Sequence, residues 1–185
     1  ATFIAKNAES PAYQSIAWRL SKSPELKEVD VRALSAGDPL EGVSSRGADH
    51  LMRGALGVNV NLYDKGVYQV LVRGDGLSSS GLNAETLLHE LVHAATTRKY
   101  EAALYVSPDP ATGGRVQANL QTPAGVAARQ ITELFNDIVR HRRLARRRGE
   151  DVPAFNREMS SATEFIAYGM TNKPFQEYLK SLPLD

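Results

Sequence analysis

With 185 residues, 42% of them apolar and 23% charged, the chain has the composition of one ordinary globular domain. The absence of cysteine removes disulfides and thiolate metal sites and is compatible with a reducing cytoplasm, while a net charge of +1 gives no overall pull toward nucleic acid or anionic lipid. No window approaches the ~20 apolar residues of a membrane span, and no charged segment followed by an apolar one marks a secretory leader.

The first predicted element is a helix over about 7–22. Ala8, Ala12, Ile16, Ala17 and Leu20 recur at helical spacing, with Ser10-Pro11 as cap and first-turn proline. Residues 29–34 alternate like a strand, and a glycine-rich connection follows over 36–47. His50 lies just beyond, in a polar stretch that reads as surface. Residues 57–63 and 67–72 flank Asp64-Lys65-Gly66 and read as a β-hairpin. Ser78-Ser79-Ser80-Gly81 is a loop, after which Asn83 is placed to cap a helix carrying Glu85 in its first turn and Arg98 and Lys99 in its last. Residues 108–123, with few large apolar side chains, read as a surface loop. Ile131, Leu134, Phe135, Ile138 and Ala145 mark the apolar stripe of a helix over about 124–148, and 155–181 is again helical in pattern.

Chemistry concentrates in His89-Glu90-Leu91-Val92-His93. Histidines four apart on a helix differ by about 40° in direction and about 6 Å in rise, so both imidazoles can meet one metal ion. Glu90, the residue after the first histidine, is placed to take a proton from water beside that ion. Leu87, Leu88, Leu91, Val92, Ala94 and Ala95 make the helix apolar on most sides. Metal coordination gives three ionisable groups a reason to be there; the alternative is a helix with two partly exposed histidines and a surface glutamate.

A catalytic zinc takes three protein ligands and keeps one position open. Glu164, in Ser161-Ala162-Thr163-Glu164-Phe165-Ile166-Ala167-Tyr168, is one candidate for the third. The same Ser161-x-x-Glu164 spacing is also a capping box, in which the carboxylate only reaches back to the Ser161 amide. His141 is the runner-up, on the shoulder of its helix's apolar stripe. Tyr168 follows Glu164 by four residues on the same helical face; its hydroxyl can either face a substrate oxyanion or stand at the rim of a packed core. Arg140, Arg142, Arg143, Arg146, Arg147 and Arg148 form the one strong charge run. It reads either as a phosphate-backbone contact for nucleic acid or as a solvated helix end complementing the dipole; nearby Glu150 and Asp151 favour the second.

The motif with its uncharged flanks resembles the active-site helix of the zincin metallopeptidases. It is unlike the metzincin branch, because Ala94-Ala95-Thr96-Thr97-Arg98-Lys99 lacks that branch's glycine and third histidine. A glutamate on a later helix is the gluzincin arrangement. The tail Glu164-Phe165-Ile166-Ala167 with Thr171-Asn172-Lys173-Pro174-Phe175-Gln176 is similar to metallopeptidase-like domains within large polyvalent proteins of phages and mobile elements, except that Tyr168 stands where an acidic residue is common. The resemblance implies an α+β zincin-like fold over 1–185, with a small mixed or antiparallel sheet in an N-terminal lobe of about 1–105, the active-site helix, and a helical lobe of about 120–185. It implies Zn²⁺ held by His89, His93 and Glu164, peptide-bond hydrolysis of a peptide or protein substrate with Glu90 as general base, and Tyr168 as an accessory donor. In that fold an edge strand before the motif lies along the cleft and can pair with substrate, and 67–72 is the candidate. The start at Ala1 then suggests excision from a larger protein, acting in a host-cell cytoplasm if phage-encoded. The alternative function is an inactive zincin-like binding or DNA-associated module, against which the intact Glu90 argues.

Overall fold

The hairpin pattern is the scaffold on which the rest of the first half assembles. In the computed structural model, which describes residues 1–8, 10–35, 38–39, 41–52, 55–62, 67–74, 83–104 and 120–183, three strands form one sheet. They are β1 (Asp30–Leu34), β2 (Gly57–Leu62) and β3 (Val67–Arg73), in the order β1-β3-β2. β2 and β3 pair antiparallel, with Val58 opposite Leu71 and Val60 opposite Gln69. β1 pairs parallel to β3, with Val31 opposite Val70. The sheet is therefore mixed. The chain as a whole is α+β and mostly helical: α1 (Thr2–Asn7), α2 (Pro11–Leu20), α3 (Ser45–Met52), α4 (Ala84–Leu104), α5 (Pro123–Arg147), α6 (Ala162–Thr171) and α7 (Lys173–Ser181). Among the described residues no helix is long and apolar enough to cross a membrane.

One expectation is overturned here. The segment 67–72 is not an edge: β3 is the central strand, hydrogen-bonded on both sides. The physical reason lies in its composition. Val70, Leu71 and Val72 are consecutive and all buried, as a strand covered on both faces requires, whereas β2 alternates Val58 and Val60 with Asn59 and Asn61. Among the described residues β2, not β3, is an outer strand of this sheet.

The chain divides into two compact units, Ala1–Ala95 with Met170–Asn172, and Thr96–Gly169 with Lys173–Asp185. In the first, Val60 and Leu71 centre an aliphatic core with Leu34, Val43, Ala55 and Val58. Gly47 lets α3 close on this face, since a Cβ there would stand 2.4 Å from Leu71 Cδ1 and 2.9 Å from Val60 Cγ2. α3 itself was not foreseen; its glycine and polar residues read as loop. Buried Gln69 accepts the Ser44 amide at 2.9 Å and donates to the Gly42 carbonyl at 2.6 Å, tying the connection after β1 to the sheet.

The second unit has an aromatic core. Ile138 of α5, Phe165 of α6 and Phe175 of α7 are buried together, with Phe155, Met159, Tyr168 and Tyr178 packed against them. Phe165 and Phe175 meet edge to face with ring centroids 5.8 Å apart. α5 begins where Thr122 Oγ1 accepts the Gly125 amide at 3.0 Å, with Pro123 in the first turn. The expected loop at 108–123 lies outside the described residues up to position 119, as do the turn at 64–66 and the loop at 78–81.

Candidate metal centre

The centre starts with the capping of α4. Asn83 Oδ1 accepts the Thr86 amide at 2.8 Å, and the helix that follows is buried without a break over 88–95. It also runs past Arg98 and Lys99, expected in its last turn, to Leu104, because Tyr100-Glu101-Ala102-Ala103-Leu104 contains no breaker.

His89, Glu90 and His93 are each 9% exposed or less. The four-residue spacing turns both rings to one side, nearly perpendicular at 78°, with the two Nε2 atoms 3.1 Å apart. Two ring nitrogens that close in a buried site either share a proton or converge on a cation. A tetrahedral zinc at ordinary bond lengths spaces its nitrogens by about 3.3 Å, so the pair fits one. His89, His93 and Glu164 bring one ligand atom each to within 4.8 Å of one another, the only such group of three among the described residues. Two imidazoles and a carboxylate could bind a metal ion.

Ser161 Oγ accepts the Glu164 amide at 3.1 Å, so Ser161 caps α6 while the Glu164 carboxylate belongs to the metal-ligating group. Seven residues on, and so on the same face of α6, stands Thr171. It is 1% exposed, its Oγ1 lies 3.5 Å from His89 Nδ1, and its carbonyl accepts the Tyr13 hydroxyl at 2.8 Å. Burial, and then the neighbouring Glu85 carboxylate, hold that hydroxyl's pKa above its ordinary value. Asn172 Nδ2 donates to Glu85 Oε1 at 3.4 Å. The Thr171-Asn172 pair thus meets both the histidine and the first turn of α4.

Glu90 lies against β2. A Cβ added at Gly57 would stand 2.8 Å from Glu90 Cγ and 3.0 Å from its Oε1, and also 2.9 Å from Thr86 Cγ2. Only a residue without a side chain lets the strand backbone approach the acid this closely.

Among the described residues no other candidate joins a ligating group. Tyr168 is half-buried, with its ring packed on the Ile138–Phe165–Phe175 cluster. His141 joins no ligating group among the described residues; it is half-buried on α5, and its Nδ1 is enclosed without a hydrogen-bond partner. His50 belongs to α3, with its side chain outside the described set. Gly57, Thr171 and Tyr13 were not singled out from the sequence. Gly57 opens a strand where a turn glycine would pass unremarked, and Thr171 drew notice only as part of a motif. No protein-family model matches the chain, and no curated protein or solved structure matches it either.

Proposed function

We propose that the chain is a zincin-like, gluzincin-type metallopeptidase domain that hydrolyses peptide bonds. The observation that carries the reading is the convergence of His89 Nε2 and His93 Nε2 at 3.1 Å, with a Glu164 ligand atom within 4.8 Å and buried Glu90 on the same helix. His89, His93 and Glu164 would hold a zinc ion. The chemistry such an ion supplies is Lewis acidity, which polarises a carbonyl and eases deprotonation of water.

This chain's residues do the rest. A proton on His89 Nδ1, directed at Thr171 Oγ1, leaves the lone pair on Nε2 for the ion and fixes the ring. The Glu90 carboxylate accepts a proton from the attacking water as the new C–O bond forms. It then delivers that proton to the amide nitrogen as the C–N bond breaks. A purely structural metal site has no use for such a base. Tyr168 is the accessory donor to the substrate oxyanion in this proposal. Substrate would enter extended along β2, an outer strand among the described residues, whose Gly57 backbone borders Glu90, pairing by strand addition.

The test is metal content beside proteolysis. The purified chain should bind one zinc, lose it on Glu164→Ala, and cleave an unfolded protein in a manner abolished by a chelator and restored by zinc. A zinc-loaded chain that cleaves no peptide in a broad library defeats the enzymatic reading, and unchanged zinc in Glu164→Ala returns that glutamate to capping alone.

A further inference from the structure

The basic run on α5 splits into two populations. Arg140 pairs with Asp137 at 3.0 Å, Arg148 pairs with Glu150, and upstream Arg129 pairs with Glu133 at 2.6 Å. These guanidinium groups are neutralised locally by exposed partners. Arg142, Arg143, Arg146 and Arg147 are different: none has a carboxylate partner among the described residues, and all four line one cavity of about 480 Å³. The spacing i, i+1, i+4, i+5 turns all four toward one side of the helix.

Arg142 shows that the cavity is built. It is 6% exposed, its Nη2 donates to the Pro153 carbonyl at 2.8 Å, and its guanidinium sits 5.4 Å from the Tyr178 ring centroid. Its Nη1 is enclosed with no hydrogen-bond partner. A buried cation without a carboxylate partner is costly, and an anion in the cavity that it lines offsets that cost through charge. The segment after α5 supplies the other wall through Phe155, Asn156 and Met159. Phe155 is braced from behind by Phe175 and Tyr178, at ring-centroid distances of 5.2 and 5.1 Å.

We infer that this cavity binds a compact polyphosphate, with its phosphoryl oxygens on the exposed Arg143, Arg146 and Arg147 guanidinium groups, the buried Arg142 charge behind them, and any attached organic group against Phe155 and Met159. Charge count decides the class. Four unpaired cations with no acid in the lining exceed what one carboxylate neutralises, whereas a triphosphate carries about as much negative charge as they carry positive, and the guanidinium fork matches phosphate oxygens. Shape decides against a nucleic-acid track. The unpaired arginines gather on one concavity of small-molecule volume, and the arginines that would extend a stripe along α5 are already paired.

The experiment is calorimetric titration of the full chain with ATP, inorganic triphosphate and adenosine, beside a single-stranded oligonucleotide and an acidic peptide. ATP should bind, adenosine should not, and Arg143→Glu and Arg147→Glu should each weaken ATP roughly ten- to a hundredfold. Arg140→Glu, a charge reversal outside the cavity, should change it less than about threefold. All three substitutions are at exposed positions, and circular dichroism confirms that each variant is folded. ATP tighter than triphosphate assigns the organic group to the Phe155 wall and a nucleotide as the source. Triphosphate binding as well as ATP assigns inorganic polyphosphate. The inference is overturned by a folded chain that binds neither, by equal loss in Arg140→Glu, or by tighter binding of the peptide or of oligonucleotides with affinity rising with length.

Discussion

α4 and α5 are the two long helices of the chain, 21 and 25 residues, and they dispose of their polar side chains in opposite ways. α4 turns His89, Glu90 and His93 inward over an unbroken buried stretch. α5 keeps its cations at the surface and draws in one, Arg142. In α4 two of the buried polar groups meet each other one turn apart, at 3.1 Å, so their burial is justified within the helix itself. Arg142 is satisfied only in part, and by distant chain: the Pro153 carbonyl and the Tyr178 ring. Buried polarity that is self-partnered at helical spacing marks chemistry readable from sequence. Buried polarity that depends on later segments does not.

The sharpest way to break this contrast is at Glu90. If the acid in α4 is chemical rather than structural, Glu90→Gln lowers peptide hydrolysis by about 10²–10⁴-fold while zinc content stays at the wild-type level. Hydrolysis at the wild-type rate by that variant would dissolve the distinction between the two helices. Next in size is the support of α5. Phe175 is fully buried against Ile138 and Phe165, so Phe175→Ala should cost about 3–5 kcal/mol in urea unfolding; a loss under 1 kcal/mol would mean that the aromatic cluster does not hold α5. Thr171→Val keeps the volume but removes the hydroxyl facing His89 Nδ1, and should weaken zinc binding by about 10–100-fold, measured by competition with a chromogenic chelator. Unaltered affinity would leave His89 oriented by packing alone. The smallest effect belongs to the exposed side of α5: Arg140→Ala breaks only an exposed pair with Asp137 and should shift stability by less than about 0.5 kcal/mol.

Much of the local structure followed from local chemistry. Asn83 caps α4 and Thr122 starts α5 because both side chains bond an amide three residues on, a contact decided within one turn. The strand pair 57–62 and 67–73 was visible in its alternation and turn residues. The position of β3 in the sheet was misread, since a strand's neighbours are set by β1, a segment more than thirty residues earlier. α3 was missed because Gly47 looks like a loop residue until Leu71 and Val60 press against it. For Glu164 the sequence left two competing roles, ligand or capping box; in the structure Ser161 Oγ accepts the Glu164 amide, and the carboxylate stands in a group with His89 and His93 that could bind a metal ion.

What the sequence determined by itself is the directed pair of imidazoles with an acid between them, since helical pitch alone sets their relative orientation. The gathering of a third donor, the seating of Thr171 beside His89, the approach of Gly57 to Glu90 and the grouping of four arginines around one cavity were decided only by tertiary structure. Each joins side chains whose separation depends on how distant segments pack, and no local periodicity encodes that distance.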